Sequence, residues 1–404
     1  MSNRFKLCTM MFLQFMYIAV FFSQLAAYLT NIKVEGYMVP TIMATMAWGA
    51  LLSPIIGMVA DRMMNAEKVL ALLNYVVAIF LVLAASTDNH LLLFVFLLIA
   101  MAAYMPTWGL TSSIALANST PEEFPTIRVF GSIGWACASV FALTGKWVFD
   151  VVIDGTNIPL YCASIVALVA AVFSYFLPST PPSAKGQPMS IVDALGLRAF
   201  SLLKDKNAAI LAVCGCAWMF VFVIYWLYFS NFLSFLKVED ITFTMNLGAA
   251  SEILFLIVLP IVLKKYGFKS AIIIGLVGMV VRYIVCMFSE DIAGIYWIAI
   301  ALQGVVFGFF FVAAQIYFAK KAPAQLQAQA QGLFFCLILG VAQIAGSYFT
   351  NWLTSLFTIS QKTANGIVAS IDWNSVFMVE TILSTIILVG FALLFRDDLP
   401  KENS

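Results

Sequence analysis

Four ionisable side chains stand where a bilayer offers them nothing: Arg128, Glu252, Arg282 and Glu380 each interrupt a long apolar run. At mid-bilayer such a group costs at least about 2.5 to 3.5 kcal/mol, so it normally faces a cavity or a partner. Glu252 lies in LGAASEILFLIVLP, residues 247–260, with Gly248 and Ala249 one turn back on its face leaving space beside it. Entered from outside, that helix carries the carboxylate about 13 Å below the surface, near the midplane. Space beside a buried acid suits a ligand, a water or a proton, and a desolvated carboxyl comes within range of protonation near neutral pH. A structural acid hydrogen-bonded between helices is the competing reading.

Arg128 opens RVFGSIGW, which sets Ser132 and Trp135 at i+4 and i+7, while Gly131 and Gly134 permit close helix approach. A cation, a hydroxyl and an indole on one stripe suit an anchor for a polar, ring-containing solute; an arginine snorkelling to the interface is the plainer alternative. Arg282 in VVRYIVCMF and Glu380 in FMVETILST fall at comparable depths, and the expectation is a structural ion pair between them. Tyr225, Trp226, Tyr228 and Asn231 offer polar handles in WMFVFVIYWLYFSNF, and Phe307 beside Gly308 could wall a planar ring.

Other chemistry is sparse. The one histidine, His90, falls in an external loop, and the 7 cysteines lack metal-ligand spacing, so neither an enzyme site nor a metal or cofactor is expected. No GxxxxGK[ST] loop occurs, which leaves a gradient or the solute itself as the energy source. A net charge of +1 without a basic, aromatic-interleaved stripe gives no nucleic-acid partner.

The elements that must position these residues are membrane helices. The 404 residues are 63% hydrophobic and 10% charged, with a mean hydropathy of +1.00. That composition cannot build a polar shell. Runs of about 20 apolar residues mean helices, not barrel strands. Twelve are predicted, near 7–30, 38–60, 68–86, 91–116, 124–148, 158–178, 207–236, 243–264, 269–287, 292–318, 325–352 and 374–395. The first is too long for a cleaved secretion signal and is expected to be retained. A polar stretch, LPSTPPSAKGQPMSIVDALGLRAFSLLKDKN, divides the chain into an N-terminal bundle (1–178), a linker (179–206) with a surface helix from about Ser190, and a C-terminal bundle (207–404).

Of the 21 lysines and arginines, fifteen fall on the side of the N terminus, four on the other, and Arg128 and Arg282 within spans. The positive-inside rule therefore puts both termini in the cytoplasm. SPIIGMVADR (53–62) and LPIVLKKYGFK (259–269) echo each other about 200 residues apart, as do STPEEFPTIRVFGSIG and KAPAQLQAQAQG. Two pseudo-symmetric six-helix bundles with the site between them are expected.

GMVADR (57–62), with Asp61 and Arg62 at its acidic and basic positions, resembles the loop motif of the major facilitator superfamily. More narrowly, MFLQF (11–15), AYMPTWGL (103–110), FPTIRVFGSIGW (124–135), SEILFLIVLP (251–260), the KKYG-F-K turn and AQGLFF (330–335) are similar to the bacterial nucleoside:proton symporter family. The resemblance implies a gating role for Asp61 and Arg62. It also implies nucleoside contacts from Arg128, Ser132, Trp135 and Glu252. The pattern departs at Ala249, Val223, Trp226, Gln303 and Gly308, which replace a glutamine, two amides, a tyrosine and a candidate coupling aspartate, while the aromatic at Phe307 is kept.

The expected protein is a monomeric secondary transporter of a bacterial inner membrane. By alternating access it imports a nucleoside or similar ring-bearing polar solute with protons, Glu252 carrying the proton and Arg128, Ser132, Trp135, Tyr225, Trp226, Glu252, Gln303 and Phe307 contacting the solute. An exporter of hydrophobic compounds, an uncoupled facilitator and a non-transporting receptor are the rivals.

Overall fold

The computed structural model describes residues 2–34, 38–120, 122–153, 155–186, 197–238, 241–363 and 366–398. The chain forms two compact units, Met1–Asp205 with Gln315–Gly340, and Lys206–Ala314 with Val341–Ser404.

In the first unit, α1 (Asn3–Asn31) starts where the Ser2 hydroxyl accepts from Phe5 N, replacing one of the bonds a helix start lacks. The second predicted span is broken into α2 (Met38–Met43), α3 (Thr45–Ala50) and α4 (Ser53–Arg62), the last with Pro54 in its first turn. Then come α5 (Ala66–Ala85) and α6 (His90–Ala117), whose cap Asn89 accepts from Leu91 N at 3.0 Å and Leu92 N at 3.1 Å. The fifth span divides into α7 (Phe124–Cys137) and α8 (Val140–Val148), and α9 (Ile158–Ser174) closes the run. The linker helix expected from Ser190 falls partly outside the described residues; Leu197–Lys204 is a 3-10 helix.

In the second unit, α10 (Lys206–Phe235) is followed by α11 (Ile241–Met287), which holds the eighth and ninth spans. Gly267 separates them at φ 83°, ψ 179°, a conformation open essentially to glycine alone, so the KKYGFK turn is real although no loop intervenes. The tenth span runs through α12 (Tyr296–Ala301), α13 (Gln303–Val306), a π-helical segment Phe307–Val312 and α14 (Ala313–Lys321). The eleventh runs through α15 (Gln327–Phe335), a second π segment Cys336–Ala342 and α16 (Gln343–Leu356). Division of the sequence at 178 and 207 assigns residues 315–340 to the C-terminal bundle; in the structure they pack with the first unit, α15 lying against α4 and α6.

A two-stranded antiparallel hairpin, β1 (Thr358–Thr363) and β2 (Gly366–Ile371), precedes α17 (Trp373–Leu394) and is the one departure from an all-helical expectation among the described residues. Among the described residues ten helices are long and apolar enough to cross a membrane; with the break at Gly267 and the shorter α9, they account for the twelve predicted spans. Ile165, Val213, Leu254 and Leu393 stand exposed on them, as lipid-facing side chains must.

The internal echo has a structural counterpart. After the second span, Ala66 N donates to Thr180 O at 3.0 Å and Glu67 Oε2 accepts from Thr180 N at 2.9 Å, tying that turn to the segment following the sixth span. After the eighth span, Lys269 N donates to Asp397 Oδ2 at 3.3 Å, tying the equivalent turn to the segment following the twelfth.

Candidate substrate site

Arg128 is turned into the first unit and is 4% exposed, so the snorkelling alternative does not hold. Its guanidinium carbon lies 4.0 Å from the Phe15 ring centre on α1. A cation over an aromatic face in a dry setting contributes about 2 kcal/mol or more. Phe15 packs on Trp108 of α6 with ring centres 4.7 Å apart, and Trp108 meets Phe335 edge-on at 5.9 Å. The glycines make this geometry possible: a Cβ on Gly131 would fall 2.5 Å from the Arg128 Nη1, and one on Gly134 would collide with the Phe12 carbonyl of α1. Ser132 is buried and Trp135 half-buried.

Behind this stripe lies a polar cluster that the sequence reading passed over. Gln14 Nε2 approaches Tyr17 Oη at 2.6 Å, Asn74 Oδ1 at 3.2 Å and Thr107 Oγ1 at 2.5 Å, and the Tyr17 hydroxyl donates to Asn74 Oδ1 at 3.0 Å. All four residues are buried. The signal was present: Gln14 and Asn74 are polar within apolar runs, and such groups must find one another.

Asp61 lies in the last turn of α4 and caps a different helix. Its Oδ1 accepts from Ala328 N at 3.1 Å and its Oδ2 from Gln329 N at 2.8 Å, so one carboxylate satisfies two of the free N–H groups opening α15. A Cβ on Gly57 would meet the Ala328 backbone, and one on Gly332 the Ser53 backbone, which is why α4 and α15 approach so closely. Arg62 is buried beside it.

In the second unit Tyr225, Gln303 and Arg282 come together. Arg282 is fully buried; its Cζ lies 4.4 Å from the Tyr225 ring centre and 5.8 Å from that of Phe222, and its Nη2 donates to Gln303 Oε1 at 2.9 Å. The expected ion pair with Glu380 is therefore not formed: among the described residues neither Glu380 oxygen has a hydrogen-bond partner. The reason is angular, since neighbours on a helix point about 100° apart. It is Tyr283 that faces α17, stacking on Phe377 at 6.0 Å, and Arg282 is thereby aimed elsewhere.

The space expected beside Gly248 is also filled: a Cβ there would sit 3.0 Å from the Tyr225 hydroxyl and 3.3 Å from Gln303 Cβ and Cγ. Glu252 is half-buried and within electrostatic reach of Tyr225. It stands at the closest approach of α11 and α13, where Gly304 N donates to Ser251 Oγ at 3.2 Å and Ser251 Oγ donates to Ala301 O. Gly308 is not demanded by packing, because an added Cβ would meet Leu256 at an ordinary 3.5 Å. Phe307 joins an aromatic stack with Trp218, Phe222 and Phe311. Trp226 meets Phe222 edge-on and remains partly exposed, whereas Tyr228 is engaged by Asn351. Among the described residues no cluster of three or more metal-ligand side chains occurs.

The sequence matches the nucleoside H+ symporter family over residues 1–399. The chain belongs to that family. YegT of Escherichia coli (strain K12) is 32% identical over 98% of this chain and 95% of its own length. The nucleoside permease NupG of the same organism is 26% identical over 98% and 96%. A NupG crystal structure superposes with a TM-score of 0.73 at 24% identity, covering 98% of this chain and 100% of that one. The human organic anion transporter MFSD10 does so at 0.74 and 14%, covering 97% and 100%. The symporter is thus a multi-pass membrane transporter of the major facilitator fold, and not an enzyme.

Proposed function

We propose that this symporter carries nucleosides into a bacterial cell together with protons by alternating access. In this reading Arg128, Ser132 and Trp135 on the one hand, and Tyr225, Trp226, Glu252, Gln303 and Phe307 on the other, contact the solute, while Asp61 and Arg62 govern the conformational step. The observation that carries the reading is the seat of Arg128: a guanidinium held by an aromatic ring and flanked by a buried hydroxyl is built to meet a polar ring compound, and lipid offers it nothing. The protein acts as a monomer in the inner membrane, with both termini in the cytoplasm.

Coupling falls to Glu252, since residue 308 is glycine and offers no carboxyl. Purified protein in proteoliposomes should accumulate radiolabelled uridine or adenosine when the outside is acidified. Glu252→Gln should abolish uptake or remove its pH dependence while nucleoside counterflow of the wild type persists. Unchanged, pH-dependent uptake by the variant would remove Glu252 from the mechanism. Absence of any nucleoside flux, with export of a hydrophobic dye instead, would overturn the substrate class.

A further inference from the structure

Arg282 decides which way round the Gln303 side chain sits. A guanidinium only donates hydrogen bonds, so the atom that Gln303 turns to it at 2.9 Å must be the amide oxygen, and the usual ambiguity between amide oxygen and nitrogen does not arise. Arg282 has little freedom to release its partner. It is fully buried, seated over the Tyr225 ring, and among the described residues its Nε and Nη1 have no hydrogen-bond acceptor. Gln303 is held from the other side, its Cβ and Cγ lying against Gly248. With the oxygen committed to Arg282, the two amide N–H groups face away from the guanidinium and are the donors left to Gln303.

We infer that Gln303, oriented by Arg282, makes this carrier select nucleosides whose base presents a carbonyl oxygen over those that present an amino group at the same edge. Arg282 is a positioning residue; Gln303 makes the contact. The inference rests on the nucleoside reading above and adds the base preference. Uridine and cytidine isolate it, because they share the sugar and the 2-carbonyl and differ at the 4-carbonyl or 4-amino edge. A fixed donor pairs with the first and meets another donor in the second, and a buried donor left unpaired lowers affinity by roughly 5- to 150-fold.

The test is the ratio of KM for cytidine to KM for uridine, from counterflow with full-length protein in proteoliposomes. The wild type should give a ratio of at least about five. Gln303→Glu keeps the size and can pair with Arg282 but presents only acceptors, so the ratio should invert. Arg282→Gln frees the amide to turn over and should bring the ratio close to one, whereas Arg282→Lys, still a donor, should keep part of the preference. If Gln303→Glu does not accumulate, Gln303→Met replaces it, with a ratio near one expected. A wild type indifferent to the two bases overturns the inference. So does a ratio unmoved by these substitutions, or a folded Gln303→Glu protein that carries neither nucleoside. Wild-type protein that carries no nucleoside would instead refute the proposed function.

Discussion

Replacing Asp61 by asparagine should loosen the contact between α4 and α15 by an amount that can be worked from the geometry. In the native chain one carboxylate receives two backbone N–H groups, at 3.1 and 2.8 Å, and the residue is 5% exposed, so neither donor has ready access to water. Bonds to a charged acceptor contribute about 1.5 to 3 kcal/mol, and a carboxylate at a partly buried helix N-terminus up to about 2. Asparagine keeps one acceptor and turns an NH2 group on the other donor. The net loss should be about 2 to 3 kcal/mol, which raises the fraction of molecules with α4 and α15 parted by roughly 30- to 150-fold. Packing through Gly57 and Gly332 is unaffected.

Ser113 is buried and lines the same cleft as Asp61 and Ala328, so a thiol placed there reports opening. In protein lacking the 7 native cysteines, the rate of thiol labelling at Ser113→Cys follows the open population when opening is fast. Adding Asp61→Asn should accelerate labelling by that same factor. A rate unchanged within about threefold, with melting also unchanged, would refute the capping argument.

Two further outcomes follow from packing and from charge. Gly134→Ala drives a methyl into the Phe12 carbonyl and should destabilise the protein by about 1 to 3 kcal/mol, whereas Gly390→Ala, with nothing within 4 Å of its added Cβ, should be neutral or stabilise by about 0.5 to 1; melting temperatures of the two variants compare them directly. Glu290 lies in the turn before α12, outside the spans, and burial pushes its carboxyl above the ordinary range, with Asp372 and then Asp291 adding to the push. A raised native value favours folding at acid pH and loses that contribution as pH rises through it, so Glu290→Gln should raise the melting temperature near pH 7 and leave it unchanged near about pH 4.

Much of the architecture was legible because a bilayer imposes a strict rule: every crossing needs about 20 apolar residues, and charge is confined to the ends. The KKYGFK turn was recognisable from its charges after an apolar run and from the family resemblance; the structure adds that Gly267 holds a backbone that glycine alone readily accepts. The close contacts at Gly131 and Gly134 were also foreseeable, since small residues on one helix face let a neighbouring backbone approach closely. The hairpin between the last two spans was not, because its two strands, TISQKT and GIVASI, carry no long apolar pattern.

The sequence by itself determined the membrane, the twelve crossings and the small set of residues too polar for lipid, because insertion cost depends on composition along one helix. The tertiary structure alone decided the partners. Arg282 went to Gln303 and not to Glu380, Arg128 to the Phe15 ring, and Asp61 to the start of a helix more than 260 residues away. The physical reason is that depth along a helix can be counted from residue numbers. Which neighbour a side chain meets depends on how each helix is rotated about its axis and what packs against it, and that rotation is settled by all the contacts at once.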